Sequence, residues 1–173
     1  MKVAFVIGHH KGSKGALNVL SNLREFDYYT EVMKEFTDHD VYIHDSTIKG
    51  YTARIKDTSS RINKKHYDLV ISLHFNSFSN DTANGCTTLY YGMNTESKRL
   101  AHKFSNTVRE LADIKLRNYG ANALMNINDR GFAMVYYPKA PVILIEPFFG
   151  SNLEDCKKID VCKMSEIIKA FLK

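Results

Sequence analysis

Residues 68–76 read "DLVISLHFN". From Leu69 to Leu73 the run is apolar but for Ser72 and lacks the polar alternation of a half-exposed strand, so both faces must be buried. Such a strand belongs in the middle of a parallel sheet covered by helices on each side. His74 then stands at its carboxyl end. Two other stretches read the same way. "KVAFVI" at 2–7 is β-branched and apolar, stops at Gly8 and runs into His9 and His10, while "PVILIEPFF" at 141–149 is a last buried strand reaching Glu146. Open α/β sheets bind ligands outside the carboxyl ends of their strands. The polar residues that follow these three strands therefore converge on one edge.

The intervening sequence supplies the rest of such a fold. "DVYIHD" at 40–45 alternates as a strand, and "CTTLYYG" at 86–92 is another. Leu23, Phe26, Tyr29, Val32, Met33 and Phe36 recur at three- and four-residue steps, which predicts a helix over 21–36 with Ser21 or Asn22 as its N-cap. A polar helix is expected over 52–65. Leu100, Phe104, Val108 and Leu111 mark one over 96–113, and 153–172 is helical as well. "HHKGSKGALN" reads as a loop, with glycines at 12 and 15. Residues 114–139, rich in Asn and Gly, take no assignment, and a long irregular stretch in a compact domain is often functional. Strands alternating with helices give an α/β fold: a mostly parallel, open twisted sheet of about six strands with helices on both faces. No repeat or linker divides the 173 residues, so one domain over 1–173 is expected, without a separate binding module.

Composition excludes several classes. The chain is 44% hydrophobic and 25% charged, which argues against disorder and fibrous repeats. No run approaches the roughly 18 apolar residues of a membrane helix, so no membrane insertion is expected. The N-terminal run meets two histidines where an export signal would continue, so no signal peptide is expected. Cys86, Cys156 and Cys162 are odd in number and form no C-x-x-C pair, so they read as reduced thiols. A net charge of +5 favours an anionic partner, but the Lys and Arg residues are not clustered as in a nucleic-acid footprint. No nucleic acid is expected.

Hydrolytic zinc sites take three nitrogen or oxygen ligands and leave a fourth position for water. Histidines after the first and third strands supply such donors, with His9 and His10 competing for one place and a hydrogen-bonded core histidine as the alternative for His74. A carboxylate directly after "VILI" is costly to bury unless it is used. Glu146 fits a general base beside a metal, or the partner of a buried cation.

At these residues the sequence resembles the zinc-dependent N-acetylmuramoyl-L-alanine amidases of the amidase 3 family, which include autolysins and phage endolysins. "VIGHHKGSKGA" is similar to the family's opening at Gly8, His9, Gly15 and Ala16, and "NLREFDYY" to its helix start at Glu25. "YDLVISLHFNS" is similar to "aDlfiSiHaNs" at Asp68, Ser72, His74 and Asn76, and "ILIEPFFGSN" to "vLvExgFxSN" at Glu146, Phe149, Ser151 and Asn152. Ile7, His10, Lys11 and Phe148 depart from the pattern, and Arg54 and Arg61 find no clean counterpart in the family's Arg-rich helix.

The resemblance implies one zinc ion held by His9, Glu25 and His74, with Glu146 as the catalytic base. The bond cut would join N-acetylmuramic acid to L-alanine in bacterial peptidoglycan. Asn76, Asn126 and Arg130 are the candidates for contacting substrate, the last two within the unassigned stretch. A phage endolysin is expected, monomeric, made in the cytoplasm, released by a holin and held on the acidic wall by its charge. The alternatives are a carboxypeptidase-like zinc amide hydrolase and an inactive peptidoglycan-binding module.

Overall fold

The computed structural model describes residues 1–173. Six strands form one sheet: β1 Val3–Ile7, β2 Asp40–Ile43, β3 Leu69–Leu73, β4 Cys86–Tyr91, β5 Leu116–Leu124 and β6 Val142–Glu146. Around them lie α1 Glu25–Met33, α2 Tyr51–Ile62, α3 Thr95–Ala112, α4 Phe132–Tyr136, α5 Leu153–Lys158 and α6 Val161–Leu172. The strand order is β2-β1-β3-β6-β4-β5. All neighbours are parallel except β4 and β6, which are antiparallel. The expected α/β sheet with helices on both faces is what the chain forms.

Period-two alternation sorts the strand residues between two cores. Val3, Phe5 and Ile7 of β1 and Leu69, Ile71 and Leu73 of β3 pack with α1, α3 and α6. Ala4, Val6 and Val70 face the other way, onto Ile55 and Ile62 of α2 and onto α4. Every residue of β1 and β3 is buried, as their unbroken apolar runs require. Ile7 pairs with Leu73, and Leu73 with Ile145, so β1, β3 and β6 end level. That register brings His9, His74 and Glu146 to one edge.

The structure departs from the expected elements in three places. The unassigned stretch contains β5 and α4. Its pattern is hidden because β5 carries an excursion in which Asn118, Tyr119 and Gly120 all take positive φ, and the register against β4 jumps from Leu116 to Ala121. Helix α1 starts at Glu25, four residues after Ser21; Asn22 sits at φ 58, and Asn18 Oδ1 instead takes the amides of Leu20 and Ser21 in the preceding turn. The C-terminal helix is broken at Ile159 and restarts with Asp160 as N-cap, its side chain accepting from the Lys163 amide. No helix is long and apolar enough to cross a membrane, and all three cysteines are free thiols.

Candidate active site

Glu25 is the first residue of α1 and is only 4% exposed. Two backbone bonds lock it in place: its amide donates to the Ala16 carbonyl at 3.0 Å, while its Oε1 accepts from the Ala16 amide at 2.9 Å. Its Oε2 faces the other way and accepts from the Phe75 amide at 3.3 Å. The same oxygen lies 3.3 Å from His9 Nε2 and 3.2 Å from His74 Nδ1. Burial opposes ionisation of Glu25, but the hydrogen bonds to His74 and His9 outweigh it and hold the carboxyl at about 2. A second residue of α1 addresses the same histidine. One turn on from Glu25, fully buried Tyr29 donates its hydroxyl to the His74 carbonyl at 2.6 Å.

The donor atoms of His9, Glu25 and His74 all lie within 4.8 Å of one another. Tetrahedral zinc bonds of about 2.0–2.1 Å separate ligand atoms by about 3.3 Å, so the two imidazole-to-carboxylate distances suit such an ion. His10 is not in this group: its Nδ1 accepts from the Gly12 amide at 3.2 Å. Of the two adjacent histidines, it is His9 whose ring faces Glu25.

Two glycines make the cluster possible. A Cβ on Gly8 would stand 2.0 Å from the His74 ring. Gly15 has φ +80, and a Cβ there would lie 2.7 Å from His9 and 2.8 Å from Glu25 Oε1. Gly15→Ala is therefore expected to destabilise the fold by about 2 kcal/mol, from left-handed strain and steric displacement together, and to weaken divalent-metal binding by the three-donor group. Thermal unfolding and elemental analysis of the variant read both effects; an unchanged melting point and metal content would contradict this account.

Glu146 ends β6 beside this group. Burial pushes its carboxyl up, more than nearby His74 and Arg130 pull it down. Asn76 Nδ2 donates to its Oε2 at 3.0 Å. Asn76 is itself held between strand ends, its amide on the Phe148 carbonyl at 2.9 Å and its carbonyl accepting from Gly150 at 2.8 Å. A cleft of about 430 Å3 opens in front, lined among others by His9, His74, Glu146, His44, Arg54 and Arg130. Of the expected substrate contacts, Arg130 lines this cleft, Asn76 lies behind Glu146, and Asn126 is outside the lining.

Sequence reading gave Tyr29, Arg54 and His44 no role at the site. His44 follows β2 much as His74 follows β3, and that strand-then-histidine pattern was the available signal. It is buried, its Nδ1 2.8 Å from Thr58 Oγ1, and burial, with His74 and Arg54 nearby, pushes it down to about 4.

A carboxyl-end sheet edge with two imidazoles and a carboxylate around one point, and a second, half-buried carboxylate beside them, fits a hydrolytic enzyme with a donor set that could hold a divalent metal. Comparison with known proteins narrows this. The family model described as N-acetylmuramoyl-L-alanine amidase, amidase 3, matches residues 3–172. The chain belongs to that family, whose reaction is amide hydrolysis in peptidoglycan. Among solved structures, the catalytic domain of an endolysin targeting Clostridia Difficile is 23% identical with a TM-score of 0.78, over 99% of this chain and 96% of that one. The amidase CwlD from Clostridioides difficile, solved in complex with the GerS lipoprotein, is 20% identical with a TM-score of 0.76, over 99% and 98%. An N-acetylmuramoyl-L-alanine amidase of Nostoc punctiforme is 21% identical with a TM-score of 0.72, over 99% and 94%. At these identities the likenesses establish the fold. Compared with curated protein sequences, the chain matches none.

Proposed function

We propose that this chain hydrolyses the amide between the lactyl group of N-acetylmuramic acid and the L-alanine of the stem peptide. In this reading one zinc ion is held by His9, Glu25 and His74, with Glu146 as the general base. The observation that carries it is the meeting of three donor atoms within 4.8 Å beside the half-buried carboxylate that ends β6. When bound, zinc supplies Lewis acidity, polarising the scissile carbonyl and making a water nucleophilic near neutral pH. Glu146 takes the proton of the attacking water and returns it to the departing alanine nitrogen. Asn76 keeps the Glu146 carboxylate turned toward that water, and Tyr29 fixes the backbone from which His74 projects.

The biological role we assign is that of a phage endolysin acting on the host wall. The likeness to an endolysin catalytic domain supports it, as does a +5 charge suited to an anionic wall.

Digestion of purified sacculi followed by mass spectrometry tests the reaction. Free lactyl-muramic ends and new L-alanine amino termini are expected, abolished by a chelator and restored by zinc. Release of C-terminal amino acids with muramoyl-alanine bonds intact would make the chain a peptidase. Tight binding to sacculi with no released product would make it a binding module.

A further inference from the structure

Four buried side-chain atoms find no hydrogen-bond partner: His39 Nδ1, Ser59 Oγ, Ser72 Oγ and Thr87 Oγ1. His39 packs on the rings of Phe5 and Phe36, Ser59 sits on the buried face of α2, and Ser72 stands between Val6 and Leu144 in the sheet. Thr87 has a different neighbour. In the antiparallel pair of β4 and β6 it lies directly opposite Glu146.

Residues opposite one another in such a pair project to the same face with Cβ atoms about 4.5–5.5 Å apart, a gap that a carboxylate and a hydroxyl bridge. Leu89 and Leu144, two residues along each strand, mark that face, since both belong to the core under α2 and α4 and both line the cleft with Glu146. Thr87 is only 5% exposed. The adjacent Thr88 points the other way and is already used: its Oγ1 lies 2.8 Å from Ser105 Oγ, which in turn donates to the Gly120 carbonyl. The Glu146 carboxylate, by contrast, is held at one oxygen, Oε2, by Asn76. Arg130 and Arg117 act on it through charge, Arg117 spending its Nη1 on the Asn84 carbonyl. A buried donor without an acceptor thus stands across one strand pair from a carboxylate with an oxygen to spare. A valine of the same shape would fill the position without the cost of an unmet hydroxyl, so packing does not account for the threonine.

Resting on the amidase reading, with Glu146 as its base, we propose that Thr87 is a positioning residue that donates its hydroxyl to Glu146 Oε1 as substrate binds. Hydrogen bonds among catalytic groups are often long or poorly aligned until the substrate is in place, and tighten then. A carboxylate held at Oε2 alone pivots about the Asn76 bond. Held at both oxygens, it keeps one plane toward the attacking water. Thr87 itself exchanges no proton with the substrate.

Thr87→Val and Thr87→Ser, loaded with zinc, test this against the wild type on a soluble muramoyl-peptide. Thr87→Val is expected to lower kcat roughly ten- to a hundredfold, the span of one hydrogen bond to a charged group. KM and bound zinc should not change, and the melting point should be no lower, because a methyl replaces the unmet hydroxyl. Thr87→Ser keeps the donor and is expected to recover most of the rate. In a Glu146→Gln background the loss should vanish, since the bond acts only through that carboxylate. Near-normal kcat in Thr87→Val overturns the proposal, as does a Ser variant as slow as the Val variant or an equal fall in the Glu146→Gln background. Should Thr87→Val misfold, Thr87→Ala set against Thr87→Ser makes the same comparison. A zinc-loaded wild type that releases no lactyl-muramic ends overturns the amidase reading and this one with it, whereas normal cleavage by both wild type and Thr87→Val overturns only the part given to Thr87.

Discussion

Glu146→Gln is expected to lower turnover by roughly a hundred- to ten-thousandfold while the purified protein still binds zinc. The substitution preserves volume and leaves Asn76 an oxygen to donate to, so the three donors of the metal group keep their places. What it removes is the carboxylate that, in the proposed mechanism, accepts the water's proton and gives it to the leaving nitrogen. Burial gives this residue a further signature. Because its carboxyl is pushed up from the ordinary value of 4.5, the basic form is lost as pH falls through that raised value. The acidic limb of kcat/KM in the wild type should therefore lie above the ordinary carboxylate range. In the variant's residual rate that limb should be absent. Stopped assays across pH, with zinc measured on the same samples, check both parts. Near-normal turnover would remove Glu146 from the mechanism, and loss of zinc would make it a ligand.

How far the sequence foretold this site depended on whether each residue's role is local. His74 and Glu146 follow continuous apolar runs that can only be central strands, so their place at the sheet edge was legible from "VISLH" and "VILIE". Glu25 was not. Its neighbours look like any amphipathic helix, and nothing in "NLREFDYY" announces that the carboxylate turns inward. That depends on residues 14–17 pairing with 24–26, a contact made by folding the loop back. The resemblance to a family supplied it instead. His9 and His10 are equivalent by composition and separate only through the Gly12 turn that captures the His10 ring. The stretch 114–139 resisted reading for a different reason: β5 breaks its alternation with consecutive left-handed residues, a conformation that a period-two search treats as loop. Arg54 and Arg61 stayed without a role because the family's Arg-rich helix has no clean match here, and only the folded chain shows that Arg54 lines the cleft.

Glu25→Gln is expected to have the opposite profile to Glu146→Gln: zinc lost together with activity, and a less stable fold. In the wild type both carboxylate oxygens accept, Oε1 from Ala16, Oε2 from Phe75 and from the two imidazoles. A carboxamide has only one accepting end. Whichever way it turns, its NH2 meets either the Ala16 amide or the Phe75 amide, and a buried donor goes unmet in a site 4% exposed. Metal affinity is expected to fall roughly a hundredfold, because in the proposed ligand set the variant replaces the anionic ligand by a neutral one and mis-sets both histidines. The metal-free proteins isolate the stability effect. Held at about 2 in the folded state against an ordinary value of 4.5, Glu25 contributes roughly 3 kcal/mol when ionised. A depressed carboxyl stabilises above its unfolded value and loses that contribution as pH falls through its folded one. The wild-type advantage over Glu25→Gln should be complete above about pH 5 and should shrink between pH 4.5 and 2. Chemical denaturation of both metal-free proteins across that range measures it. A difference that stays constant with pH would show that the carboxylate's charge is not what stabilises the fold, and a variant that keeps one tightly bound zinc would remove Glu25 from the ligand set.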